Sequence, residues 1–315
     1  MTATAFWTVA PGTGELRHEP VAPPEPGFVR VRALASGVSR GTEALVFAGR
    51  VPPGQFDAMR APLMGGMFPF PVKYGYSVVG ARDGGDRVFV LHPHQDVFNA
   101  PAAMCIPVPD AVPTHRAVLA ANMETALNIA WDSAPLAGER IMVIGAGAVG
   151  LLTASLLARV PATRVTVVDI DPARAALAEA FGCAFAAPEA APREQELIVH
   201  ASASEAGLRL ALDRAAFEGR IVEASWFGDN APSIPLGEAF HARRLRIVAS
   251  QIGAVAPAMR GRRTHAERLA TALALLENPA YDALLEGPAR FQDLPAAMPG
   301  ILRPGGLCHV VIYEA

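Results

Sequence analysis

A chain of 315 residues with a formal net charge of −3 is too long for one simple core, predicts about two domains, and excludes a strongly basic binder of nucleic acid or anionic membrane. Hydrophobic residues make up 51%, yet Gly, Pro and charge break every apolar run short of the ~18 residues of a spanning helix, and Met1 to Val9 lacks the features of a secretory leader. Cys105, Cys183 and Cys308 are few, odd in number and far apart, which predicts reduced thiols in a cytoplasmic protein, with neither a disulfide framework nor a zinc knuckle.

Residues 1 to about 120 read as β-rich. Val29 to Ala33 alternates, Ser77 to Gly80 is apolar, and the Asp83-Gly84-Gly85-Asp86 turn leads into the strand Val88 to Leu91. Prolines at 23–24, 52–53, 69, 71, 107 and 109 exclude long helices here. Between Gly54 and Pro71 stand Phe56, Met59, Met64, Met67, Phe68 and Phe70. That segment reads either as a loop tucked on the core or as an adaptable apolar cover over a substrate pocket.

From about residue 123 helices and strands alternate. Helices are expected at Met123 to Ser133, Ala173 to Phe181, Glu205 to Ala216 and Thr264 to Glu277. Strands are expected at Leu197 to His200, Arg220 to Ala224 and Leu245 to Ala249. Such alternation predicts a parallel, doubly wound α/β sheet. The apolar tail Val310 to Ile312 is not needed by that sheet and is expected to return to the first domain.

The most informative stretch is Ile141 to Ile144, an apolar strand, followed by Gly145-Ala146-Gly147-Ala148-Val149-Gly150 and an apolar helix. A second strand, Val165 to Val168, ends at Asp169, 19 residues past Gly150. A strand, GxGxxG, a helix and an acid at about 20 residues form the fingerprint of a dinucleotide-binding unit. Gly145 permits the tight turn, Gly147 lets the backbone approach a pyrophosphate, and Gly150 lets helix and strand pack closely. The helix start near Ala148 offers free N–H groups to phosphate. Asp169 suits the ribose hydroxyls of NAD and repels a 2′-phosphate, so NAD is the expected cofactor. Arg174, five residues on, could soften that preference.

The order of these parts resembles the medium-chain dehydrogenase/reductase family of the zinc alcohol dehydrogenase type, over nearly the whole chain. The resemblance is carried by Ser36-Gly37-Val38-Ser39 with Gly41-Thr42-Glu43, by Gly75-Tyr76-Ser77, by Gly85-Asp86-Arg87-Val88, by Thr125-Ala126-Leu127 and by the glycine fingerprint. Ser39 to Pro52 also resembles the bacteriochlorophyllide hydroxyethyl-dehydrogenase branch, a local likeness without a substrate claim. The family resemblance implies a Rossmann domain at 122–252 inserted into a β-rich GroES-like catalytic domain at 1–121 and 253–315. It implies cofactor contacts from Thr125, Ala148, Val149 and Ile170, and from Ser202, Ser225 and Ser250. It also implies a two-fold homodimer paired through the edge strand Leu245 to Ala249.

The departures from the family bear on chemistry. Zinc members place a Cys at the position of Ser39 and His-Glu at the positions of Tyr76-Ser77; a third ligand is missing near Ala120 and Ala121. The structural-zinc lobe needs four cysteines, and only Cys105 stands between Val88 and Ile106. Zinc requires three protein ligands and an open position, so no metal is expected.

A substrate oxygen then needs another donor. Tyr76, Ser39, Thr42, Arg40, Glu43 and His94 are the candidates, with Asp96 able to orient His94. His92 to Asp96 reads equally as a polar turn, and His92, His94, Asp96, Glu43 and Glu124 offer ligand types for a rebuilt metal site. Glu124 otherwise reads as favourable charge at a helix start. Lys73, the sole lysine, lies beside Tyr74 and Tyr76 and reads as a surface charge or a pocket group.

The leading expectation is a zinc-independent, NAD(H)-dependent oxidoreductase interconverting a small-molecule alcohol and a carbonyl. A reductase of enone or quinone C=C bonds and a catalytically silent NAD(H)-binding protein stay open as alternatives.

Overall fold

One twelve-residue strand, Phe28–Ser39, organises the N-terminal part of the chain. Val31, Ala33 and Ala35 are buried while Arg32 and Leu34 face out, the period-two pattern of a strand with one covered face. Val78–Arg82 and Cys308–Ile312 flank it antiparallel, with Cys308 opposite Ser39. Arg87–Val90 and Ile106–Pro107 extend the sheet on one side and Leu285–Arg290 on the other. A second sheet is built on the hairpin Thr2–Ala10 and Thr13–Pro20.

The computed structural model describes residues 1–314. The chain divides into two compact units, the first comprising Met1–Ala121 and the segment from Leu269 onward, the second Asn122–Arg268.

In the first unit, Phe6, Val38, Phe47, Phe291, Leu294, Met298 and Val311 form one buried cluster, tying the C-terminal segment to the N-terminal sheets. The tail therefore returns to the first unit, as expected. The helix Arg40–Phe47, absent from the sequence reading, follows the long strand directly. The 54–71 segment is partly tucked: Met64 and Phe68 are buried, while Met67 is 72% exposed. Its rings join a chain of aromatic contacts, Phe56 to Phe68, Phe68 to Tyr74 and Tyr74 to Tyr76, at centroid distances of 5.7, 5.8 and 5.9 Å.

The second unit holds a six-stranded sheet whose paired strands all run parallel. Across it lie Ala184–Ala186, Arg164–Val168, Arg140–Ile144, Gln195–His200, Ala215–Glu223 and Arg246–Ala249, which is the order 3-2-1-4-5-6 of a doubly wound fold. Met142, Ile144, Val168, Ile198 and Ile221 are buried against Leu208, Ala211 and Leu212 of the helix Glu205–Arg214. Element ends differ modestly from expectation. The helix Ala120–Ser133 begins before Met123, and the strand Ala215–Glu223 begins before Arg220 because its start pairs with Gln195 across a register shift.

Residues 253–268, assigned from sequence to the first domain, pack within the second unit. Arg268, 2% exposed, explains this by donating to the carbonyls of Ile252 and Ala254 and to the side chains of Glu124 and Asn128. Among the described residues no helix is long and apolar enough to cross a membrane.

Candidate functional site

In the second unit the strand Arg140–Ile144 runs into Gly145, whose φ of +106° only glycine adopts freely. A Cβ there would also lie 2.9 Å from the Ala201 carbonyl and the Ser202 nitrogen. One at Gly150 would lie 1.9 Å from the Gly145 oxygen, so the first turn of the helix Ala148–Leu157 presses on the loop. Gly147 is different. Its φ is −75° and an added Cβ would meet nothing within 4 Å. Neither backbone conformation nor a protein neighbour requires glycine there; the space it leaves opens beside a helix start that no side chain caps. That is the fit expected of a phosphate-bearing ligand approaching the backbone.

Asp169 stands at the end of the next strand. Its Oδ2 accepts from the Ala146 N–H at 2.6 Å and its Oδ1 from the Asp171 N–H at 2.9 Å. The carboxylate thus holds the glycine loop, and each oxygen keeps a further lone pair. Arg174 pairs with Asp171 at 3.3 Å. Ala148 and Val149 are partly exposed on the first helical turn, as is Thr125 on its helix, and Ile170 is 87% exposed. Ser250 donates to Asp132 at 2.6 Å. The Ser202 hydroxyl lies 2.7 Å from His200 Nε2, and the Ser225 hydroxyl accepts from the Ala203 N–H at 3.0 Å.

In the first unit a polar cluster is buried where the long strand meets the helix Arg40–Phe47. Glu43, 4% exposed, turns back so that its Oε1 accepts from the Ser39 N–H at 2.7 Å, which satisfies a free donor at the helix start. Its Oε2 lies 3.0 Å from Nε2 of the fully buried His94. His94 Nδ1 lies 2.7 Å from the Ser36 hydroxyl, which is 3.0 Å from the Tyr313 hydroxyl. Gly75, at φ +126°, leaves room for the His94 ring, to which a Cβ would come within 2.9 Å. An ionised carboxylate only accepts, so with Glu43 ionised the Nε2 proton points at it, and the series runs Tyr313, Ser36, His94, Glu43.

Tyr76 sits at the edge of this cluster, partly exposed. Ser39 and Thr42 hydrogen-bond its hydroxyl. Burial, then the nearby Glu43 charge, push its pKa well above the ordinary phenol value, with the two hydroxyls opposing. Tyr313 is raised in the same way, chiefly by burial, and the Cys308 thiol is pushed up to about 12 by burial and Glu43. Around Glu43, then, neighbouring groups keep their protons and donate.

The other candidates are placed elsewhere. Arg40 donates to the Gly306 and Arg303 carbonyls at 2.9 and 3.3 Å. Lys73 bridges Glu19 and Gln95 at 2.6 and 2.8 Å. His92 stacks on Phe98 at 3.6 Å, and burial lowers its pKa to about 3, so it stays neutral. Asp96 accepts from the Thr4 N–H at 2.8 Å; Ser36 and Glu43, not Asp96, hold His94. Glu124 lies beyond the first turn of its helix, buried against Arg268 at 3.0 Å.

Among the described residues no group of three His, Cys, Asp or Glu side chains could hold a metal. Nor does the donor set at the family's zinc position suit one. Ser39 and Tyr76 present only hydroxyl oxygens there, with no thiolate, imidazole or carboxylate of the kind zinc takes. Sequence reading missed Ser36, Tyr313, His200 and Glu223. His200 and Glu223 carried a local signal, each a polar residue closing an apolar strand, and Ser36 and Tyr313 carried none.

Comparison with known proteins agrees with this architecture. No protein-family profile matches the chain. An uncharacterized zinc-type alcohol dehydrogenase-like protein of Haemophilus influenzae is 29% identical over 144 residues, 42% of each chain. An L-threonine 3-dehydrogenase of Rhizobium rhizogenes is 35% identical over 101 residues, 32% of this chain and 27% of that one. The matches span less than half the length of these curated relatives.

Solved structures match over the whole length. A putative zinc-binding dehydrogenase of Sinorhizobium meliloti bound to NADP superposes with a TM-score of 0.80 at 16% identity, covering 99% of both chains. A structure from Escherichia coli CFT073, described as a short chain alcohol dehydrogenase complexed with NADH, gives 0.79 at 16%, again over 99% of both. The chain shares the fold of these dehydrogenases.

Proposed function

We propose that this chain is an oxidoreductase that uses NAD(H) to interconvert an alcohol and a carbonyl without zinc. The glycine loop carries the reading: Gly147 is required by no protein neighbour, while Asp169 braces the same loop and offers lone pairs to ribose hydroxyls. The cofactor, when bound, supplies or accepts the hydride. Reduction leaves negative charge on the substrate oxygen, which needs a hydrogen-bond donor or proton source. Tyr76 supplies it: a phenol that keeps its proton, positioned by Ser39 and Thr42 and backed by Glu43 and His94.

The exposed strand Arg246–Ala249, with Ile247 and Val248 at 36% and 44% exposure, supports a homodimer formed by edge pairing, with twice the 33.0 kDa mass in light scattering. Three buried free thiols suit a reducing, cytoplasmic setting.

The test is NADH oxidation over a panel of aldehydes, ketones and enones, with and without a chelator. Turnover of a simple carbonyl that survives chelation is expected, and Tyr76→Phe should lower it by about 10²–10³-fold while NADH affinity holds. Activity confined to enones favours C=C reduction. Activity lost on chelation, or a silent Tyr76→Phe, overturns the zinc-free Tyr76 reading.

A further inference from the structure

His200 and Glu223 end adjacent parallel strands and stand opposite each other in register. His200 is fully buried, with Phe227 stacked at 6.0 Å. Glu223 Oε2 lies 2.7 Å from His200 Nδ1, and Glu223 Oε1 accepts from the Ser225 N–H at 2.8 Å. With the carboxylate ionised and the imidazole neutral, the ring proton lies on Nδ1 and Nε2 is an acceptor. The Ser202 hydroxyl, 2.7 Å away, donates to it. Ser204 Oγ accepts from the Gly207 N–H at 3.0 Å, so its own hydrogen is free to reach Ser202 Oγ at 2.9 Å. Ser202 therefore spends its hydrogen inward, and its remaining lone pair is left for a donor from outside. The residue is partly exposed, and its backbone nitrogen lies against Gly145 of the glycine loop.

Two features say which donor. Sheets of the order 3-2-1-4-5-6 take a dinucleotide across the C-terminal strand ends, one nucleotide to each half. Asp169 belongs to the first half, and His200 and Glu223 close strands of the second. We infer that Glu223 and His200 are positioning residues that lock Ser202 as a hydrogen-bond acceptor for the nicotinamide riboside, whose ribose hydroxyls and carboxamide NH2 are donors. This rests on the dinucleotide reading above.

The same Glu–His–Ser order occurs in nucleophilic triads. Here the Ala203 N–H, the backbone donor next to Ser202, is taken by Ser225, so that neighbouring N–H is not free to stabilise an oxyanion.

The experiment is titration of the full chain with NADH and, separately, with 5′-AMP, which carries only the adenosine half. Ser202→Ala should weaken NADH about tenfold, the effect of one lost hydrogen bond, and leave 5′-AMP unchanged. His200→Asn should do the same, the double variant should lose no more than either single one, and Ser202→Thr should bind as the parent does. The Ser202 arm stands even if a change at buried His200 fails to fold. Unchanged NADH affinity in Ser202→Ala, or parallel loss of 5′-AMP, overturns the assignment alone. A parent chain that binds neither ligand overturns the dinucleotide reading with it.

Discussion

His94 and Glu43, 51 residues apart, meet at 3.0 Å with both side chains almost fully buried. Neither is satisfied by this contact alone. Glu43 also takes the Ser39 N–H and His94 the Ser36 hydroxyl, so every strong group in the cluster has a partner of suitable type. Removing one member leaves another uncompensated in a medium that solvates charge poorly. Glu43→Gln keeps the shape but sets an NH2 against either His94 or the Ser39 N–H. It should lower turnover at least about tenfold and destabilise the first unit by about 1–3 kcal/mol, the cost of a buried group left unpaired. Steady-state kinetics beside urea unfolding checks this; an unchanged midpoint would show that the pair does not hold the cluster.

The proposed preference for NAD(H) rests on Asp169. NADH should bind at least about tenfold tighter than NADPH, a difference of about 1.4 kcal/mol, because the carboxylate would meet a phosphate dianion. Asp169→Ala should narrow that gap. It should also weaken NADH itself, since the Ala146 and Asp171 N–H groups lose their acceptor and the glycine loop its brace. Calorimetry giving equal affinities for the two dinucleotides on the parent chain would refute the assignment.

How much of this was visible beforehand follows from sequence distance. The glycine loop and Asp169 lie close together in sequence, so their spacing alone marked them as candidates, although Gly147 answers to no protein neighbour. Tyr76 was singled out by the family resemblance, at its place after Gly75. Ser36 and Tyr313 touch across 277 residues, and no local pattern records such a contact. His92 and His94 share a five-residue polar stretch, yet Phe98 stacks one into the core and Ser36 and Glu43 draw the other into the cluster. The short helix Arg40–Phe47 escaped notice because Gly41 and Thr42 in its first turn weaken its local signal, while Glu43 supplies the missing cap from inside the helix.

Arg268 supports a stability prediction. Its guanidinium is buried among Glu124, Asn128 and two backbone carbonyls. Arg268→Ala leaves the Glu124 charge unpaired and should cost about 3–5 kcal/mol in the second unit. Burial already raises the Glu124 pKa, against the pull of Arg268. Without the arginine it rises further, so the folded state binds a proton more tightly than the unfolded chain. The deficit should therefore shrink at low pH and grow as pH rises through the folded pKa. Urea unfolding of the variant across that range tests the sign, and a deficit independent of pH would exclude the mechanism.

The opposite sign is expected at Asp282. Arg116 donates to both its oxygens at 2.7 Å, and this hydrogen bonding, aided by the guanidinium charge, holds the carboxyl below its ordinary value of 3.8. A depressed folded pKa means that the contribution is complete above about 3.8 and is lost as pH falls through the folded value. Asp282 is 43% exposed, so solvent screening makes the gain small despite the two-point geometry. In a His115→Gln background, which removes the second basic group 3.4 Å from Asp282 Oδ1, Asp282→Asn should lower the thermal midpoint slightly at neutral pH, by an amount that stays constant down to about pH 4. Below that the two curves should converge as the parent carboxyl takes up its proton. A gap that widens with acid, or that closes already near neutrality, would mean that the Arg116 pair does not set the acid limit of this segment.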